Sequence, residues 1–119
     1  WMTKGIKTNK YLIAACGNAE DIQAFLDWMK AGGNQDDKKK YGLDRDCDIS
    51  AIAINKKLKV TYYDGRIYPY HIESQFHAIG SGSDFAKGAM AFGATASQAV
   101  RIAAKFCNFT GGSIKELRW

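Results

Sequence analysis

Tyr11-Leu12-Ile13-Ala14-Ala15-Cys16-Gly17-Asn18-Ala19-Glu20-Asp21-Ile22 joins an apolar run, a glycine and a helix start without a break. The run from Tyr11 to Cys16 is short, apolar and closed by Gly17, which reads as a buried strand feeding directly into a helix. Asn18 can cap that helix, and Glu20 and Asp21 put carboxylates near the positive end of its dipole. Ile22, Phe25, Leu26 and Met29 then recur at helical spacing, and Gly32-Gly33 ends the pattern near Lys30. A strand running straight into an amphipathic helix is the nucleus of a mixed α and β fold.

Downstream, residues 34–46 are polar, with charge blocks of both signs and no apolar period. They read as an exposed, mobile loop, since nothing in the pattern offsets the entropy of ordering it. Ile49 to Ile54 alternates isoleucine with alanine and serine, which suits a central strand covered on both faces. Leu58, Val60 and Tyr62 alternate with Lys57, Lys59 and Thr61, and Asp64-Gly65 is a two-residue hairpin signal before a strand over Arg66 to Ile72. Pro69 places that strand at an edge or a bulge. Phe76 to Ile79 reads as one more short strand before Gly80-Ser81-Gly82-Ser83.

From Ser83 the pattern is helical through Phe85, Ala89 and Met90 to Gly93, and a second helix opens with Thr95 and Gln98 at capping-box spacing. Its expected apolar face is Ala99, Ile102, Ala103 and Phe106. Ser113 to Trp119 alternates as a final strand. The expected fold is α+β, with two antiparallel sheets stacked face to face and helices outside them.

Length and composition set the outer bounds. A chain of 119 residues suits one domain, and 46% apolar against 24% charged residues is a globular composition. No apolar run approaches the length of a bilayer crossing, so no membrane partner is expected. Cys16, Cys47 and Cys107 are odd in number and lack CxxC spacing, which points away from disulfides and zinc and toward a reducing, cytoplasmic setting. The net charge of +5 is carried in part by Lys38, Lys39 and Lys40 beside Asp36 and Asp37. The aromatic residues lie in apolar runs rather than among the lysines, so nucleic acid is not expected as a partner. Trp1 precedes Met2, which is not an ordinary translation start, and an upstream segment is expected.

Three blocks, in order, carry a resemblance. They are Leu12 through Gln23, Ala78-Ile79-Gly80-Ser81-Gly82-Ser83, and Gly93-Ala94-Thr95 through Thr110-Gly111-Gly112. Together they resemble proteasome β-type subunits and their bacterial HslV-type relatives, N-terminal-nucleophile hydrolases with a four-layer αββα sandwich; the chain's short size also resembles proteasome-like proteins carried by phages. The resemblance implies a single such domain over 1–119 and a threonine-type peptidase subunit. It implies peptide or protein substrates, a homo-oligomeric ring, an unfoldase as further partner, and no cofactor.

In that family an N-terminal threonine attacks the peptide carbonyl, its own α-amine, with a pKa of about 8, accepting the hydroxyl proton. Trp1 has no hydroxyl, and Thr3 and Thr8 carry acylated nitrogens. The 119 residues alone are therefore expected to be inactive. By similarity, Lys4 matches the active-site lysine, whose charge stabilises developing negative charge. Gly17 matches the glycine whose backbone N–H serves the oxyanion hole; the plainer reading is a turn glycine. Ser81 matches the serine of the Gly-Ser-Gly turn beside the nucleophile's amine. Thr110 stands where the family carries a serine, and Cys107 where it carries an acid three residues earlier, a departure that weakens the polar network. Cys107 also reads as a buried small hydrophobe rather than a nucleophile, and His71 and His77 lack the further ligands a metal needs. The rival to a peptidase subunit is a proteasome-like subunit that keeps fold and assembly surfaces without hydrolysis.

Overall fold

The computed structural model describes residues 2–106 and 116–118, with side chains from Lys4 onward. Two compact units divide the chain between Ile72 and Glu73. The N-terminal unit is built from strands β1 (Met2–Lys7) and β2 (Tyr11–Gly17), helix α1 (Ala19–Lys30), and strands β3 (Ile49–Asn55) and β4 (Val60–Tyr63). The strands form one antiparallel sheet in the order β1-β2-β3-β4.

Register explains how α1 lies on this sheet. Ala15 pairs with Ala51, and Ile13 with Ala53. Side chains alternate across a strand, so these residues share one face, where the three alanines are fully buried. Their small side chains leave room for Ile22, Phe25, Leu26 and Met29 of α1, which join Ile13, Ile49 and Tyr63 in one core. Phe25, Trp28 and Tyr63 form an aromatic triangle with centroid separations of 5.9, 5.2 and 6.0 Å. The buried indole of Trp28 donates to the Asn34 carbonyl at 2.7 Å, so its polar edge is satisfied.

Residues 34–46 are anchored, not a bare exposed loop. They hold two 3₁₀ turns, Gln35–Asp37 and Lys39–Tyr41. Leu43 is buried in the main core. Gln35 Nε2 donates to the Ile67 carbonyl at 2.9 Å, and Lys38 Nζ to the Arg66 carbonyl at 3.0 Å. Lys38 also stands 3.8 Å over the Tyr68 ring. These partners are distant in sequence, so no local period announces them. Leu43→Ala is expected to lower stability by about 2–4 kcal/mol, the cost of a buried leucine cavity. Urea unfolding checks it, and a change under about 0.5 kcal/mol would restore the exposed-loop reading.

The expected hairpin at Asp64-Gly65 is also corrected. Asp64 does begin a turn, its carbonyl accepting from Ile67 N at 2.9 Å and its Oδ1 from Arg66 N at 3.2 Å. Ile67, at φ 60°, then enters the core instead of starting a return strand. Burial of that side chain outweighs immediate pairing, and the expected strand over Arg66 to Ile72 shrinks to one bridge between Tyr62 and Tyr70. The hairpin that does form joins β3 to β4. Pro69 precedes the bridge residue, beside the open edge of β4, where its missing N–H costs no ladder bond.

In the C-terminal unit, helices α2 (Ser83–Ala91) and α3 (Ala96–Phe106) are present as expected. The capping box is complete: Thr95 N donates to Gln98 Oε1 at 2.9 Å and Gln98 N to Thr95 Oγ1 at 3.2 Å. Phe76 to Ile79 is not a strand. Ser74 Oγ instead binds both the N–H and the carbonyl of Phe76, a local bond that competes with a ladder. The helix pair meets through small residues, with Ala86, Ala99 and Ala103 buried. Ile102 and Phe106, expected on the buried face of α3, are 37% and 62% exposed. The expected strand over Ser113 to Trp119 lies largely outside the described residues.

Candidate functional site

Gly17 ends β2 and Asn18 opens α1, so backbone and helix dipole meet there. Asn18 Oδ1 accepts from Glu20 N at 2.9 Å and Asp21 N at 3.4 Å, capping the helix. The capped end is then tied to the segment before β3. Asn18 N donates to the Asp48 carbonyl at 2.8 Å, while Asp48 N donates to Asp21 Oδ2 at 2.7 Å. Arg45 Nη2 reaches Asp21 Oδ1 at 2.5 Å. The sequence marks Asp21 as a helix-dipole carboxylate, but only folding brings Arg45 and Asp48 to it.

The bond from Arg45 is the main reason the buried Asp21 carboxyl titrates below its ordinary range, with burial opposing and Asp48 N–H assisting. A depressed folded pKa means stability that is present above the unfolded value and is lost as pH falls through the folded one. Asp21→Asn is expected to cost about 2 kcal/mol at neutral pH. It should also flatten the stability profile of this unit on the acid side of about pH 4. Denaturant titrations across pH would test this, and an unchanged acid limb would remove Asp21 from the account.

Gly17 itself has no room for a side chain. Its φ is +142°, and a Cβ there would lie 2.1 Å from the Asp48 carbonyl oxygen. Backbone cannot yield as a flexible side chain can, so glycine is required by the fold. Lys4 comes close to it by register. Met2 pairs with Gly17 and Lys4 with Ala15. Lys4 and Gly17 are therefore diagonal neighbours on one face, about 7–8 Å apart. That face is the one covered by α1, since Ile6, two residues on from Lys4, packs against the same core.

Ser81, itself exposed, lies in the C-terminal unit, in the turn between Gly80 and Gly82 that precedes α2. Thr110 and Cys107 lie outside the described residues. Burial pushes the Cys16 and Cys47 thiols up, so both stay protonated at neutral pH. His71 Nδ1 lies 2.9 Å from the Val60 carbonyl at the open edge of β4. Among the described residues, no cluster of His, Cys, Asp or Glu could hold a metal ion. No helix among them is long and apolar enough to cross a membrane.

The chain resembles eukaryotic HslV from Trypanosoma brucei with a TM-score of 0.66, covering 92% of this chain and 75% of that one. The fold is HslV-like. Sequence identity is 20%, so the likeness with HslV is one of fold. No family model matches the sequence, and no curated protein does. The HslV likeness agrees with the mixed α and β reading and with the antiparallel sheet.

Proposed function

We propose that this chain is a subunit of a proteasome-like, threonine-type peptidase, with the four-layer αββα arrangement of N-terminal-nucleophile hydrolases. The observation that carries the reading is the placement of Lys4 and Gly17 as diagonal neighbours beside the capped start of α1. On the HslV fold, a cation and a glycine backbone at this junction suit a reaction in which a hydroxyl attacks a peptide carbonyl.

The roles follow from charge development. Lys4 holds the nucleophile's oxygen in its more anionic form and offsets the negative charge that grows on it. Gly17 allows backbone to approach the carbonyl oxygen where the oxyanion forms. Ser81 and Thr110 are proposed from their motifs alone, as hydroxyls of the kind the family uses to move protons. The reaction calls for an N-terminal threonine as nucleophile. The assembly is a cytoplasmic homo-oligomeric ring, its substrates are peptides or unfolded proteins, and an unfoldase delivers them.

A second reading has its own observation. The Asp48 carbonyl packed against Gly17 gives that glycine a purely structural reason to exist. It favours a non-catalytic subunit that keeps the fold and the assembly surfaces. One experiment separates the readings: treat the intact protein with a peptide epoxyketone, which reacts with both the hydroxyl and the amine of an N-terminal threonine, and locate the adduct by mass spectrometry. A single adduct on an N-terminal threonine supports the peptidase. An intact protein that assembles yet takes up no probe leaves the non-catalytic reading.

A further inference from the structure

Among the described residues, the end of the sheet remote from Gly17 gathers charge of one sign. β2 starts there and β3 ends there, with Tyr11 paired to Asn55. The β1–β2 and β3–β4 turns consequently lie side by side. Between them they carry Lys7, Lys10, Lys56, Lys57 and Lys59, and neither turn contains a carboxylate. Two shallow recesses open among them. One, of about 450 Å³, is lined by Lys7, Thr8, Asn9 and Lys56. The other, of about 380 Å³, adds Lys10, Tyr11, Asn55 and Lys57.

Both turns hold their lysines on a fixed backbone. Thr8 Oγ1 accepts from Tyr11 N at 2.9 Å and Lys10 N at 3.3 Å. Asn55 Oδ1 accepts from Lys59 N at 2.9 Å and Lys57 N at 3.0 Å. Between Lys57 and Lys59 stands Leu58, 72% exposed and held at φ 63°. A turn that needs this left-handed backbone is built with least strain from Gly or Asn. A leucine there adds strain and buries little, so local structure supplies no reason for it.

We propose that this pair of turns docks an acidic protein segment, an extended chain with Asp or Glu on either side of one apolar side chain. The carboxylates meet Lys10, Lys57 and Lys59, and the apolar residue covers Leu58. The lysine field draws the segment in and orients it, while the leucine contact gives it register. Nucleic acid fits less well. The aromatic ring at this end, Tyr11, is half-buried and packs against the core, which removes a stacking platform. The turns contain no arginine, and a phosphate backbone offers nothing apolar to Leu58. The proposal stands apart from the peptidase reading, because it uses the opposite end of the sheet.

The test uses the full chain and a fluorescein-labelled peptide in which Glu and Asp flank a central Leu. Binding is followed by fluorescence anisotropy, and melting by circular dichroism. We expect binding that weakens about tenfold between low and roughly threefold-physiological salt. Lys10→Glu with Lys57→Glu should abolish it without loss of the circular dichroism spectrum. Leu58→Gly should weaken binding about threefold to tenfold while the melting temperature stays level or rises, because strain is relieved. A Leu58→Gly protein that melts lower would give the leucine a folding role and overturn the proposal. So would a single-stranded oligonucleotide of equal charge that binds as tightly and is indifferent to Leu58. Sedimentation in which the chain self-associates and the double lysine variant does not would assign the face to a second copy, which also overturns it.

Discussion

Gly17→Ala is expected to unfold the N-terminal unit, or to leave it so destabilised that it melts at or below ambient temperature. The added methyl would sit 2.1 Å from the Asp48 carbonyl oxygen and 2.9 Å from Ile49 Cα. Relief would require β3 to move away from β2 at the rung where Ile49 pairs with Gly17. The same displacement would break the Asn18–Asp48 bond and disturb the Asp21–Arg45 pair. Overpacking against backbone, together with a φ that L-residues rarely adopt, amounts to about 4 kcal/mol or more. A domain of this size has roughly 5–10 kcal/mol to lose. Chemical denaturation monitored by the fluorescence of buried Trp28 would measure it. A folded, stable alanine variant would mean that Asp48 is less tightly placed than its hydrogen bonds indicate. It would also make Gly17 a residue kept for chemistry alone.

Lys4→Ala is expected to have the opposite profile. On the proposed peptidase function it should lower kcat by about 10²–10³-fold or more, the scale of removing one preorganised electrostatic stabiliser. Stability should change by less than about 1 kcal/mol, because a half-exposed lysine with no ion pair among the described residues contributes little to folding. Peptide hydrolysis and thermal melting on the same preparation give the comparison. Parallel losses in both would identify Lys4 as a structural lysine. Loss of neither, in a protein that takes up the active-site probe, would remove it from the proposed site. The two residues are neighbours by register, so the pair of variants separates a steric requirement at Gly17 from the charge role proposed for Lys4.

Several of these features are legible before folding is known. The apolar run into Gly17, the Asn18 cap, the spacing of Ile22, Phe25, Leu26 and Met29, and the Thr95–Gln98 box all act over a few residues. Local hydrogen bonds and periodicity encode them, and β2, α1, α2 and α3 appear close to where the pattern puts them. The Lys4–Gly17 neighbourhood was legible only through resemblance, since no spacing rule joins a β1 residue to the end of β2.

What the sequence could not disclose is set by contacts between segments distant along the chain. Leu43 looks like an isolated apolar residue among charges until the core formed by α1 and the sheet gives it somewhere to go. Ile67 reads as part of a hairpin arm, but burial in that same core turns the chain away from pairing. Arg45 and Asp48 reach Asp21 only because β3 returns antiparallel to β2. Lys7, Lys10, Lys56, Lys57 and Lys59 become one patch for the same reason. The sequence alone determines the strand-to-helix junction and the capped helices, because their energies are local. Which loops are anchored, which glycine has no room for a methyl, and where charge accumulates are decided by strand pairing and core burial, whose energies exist only once remote segments meet.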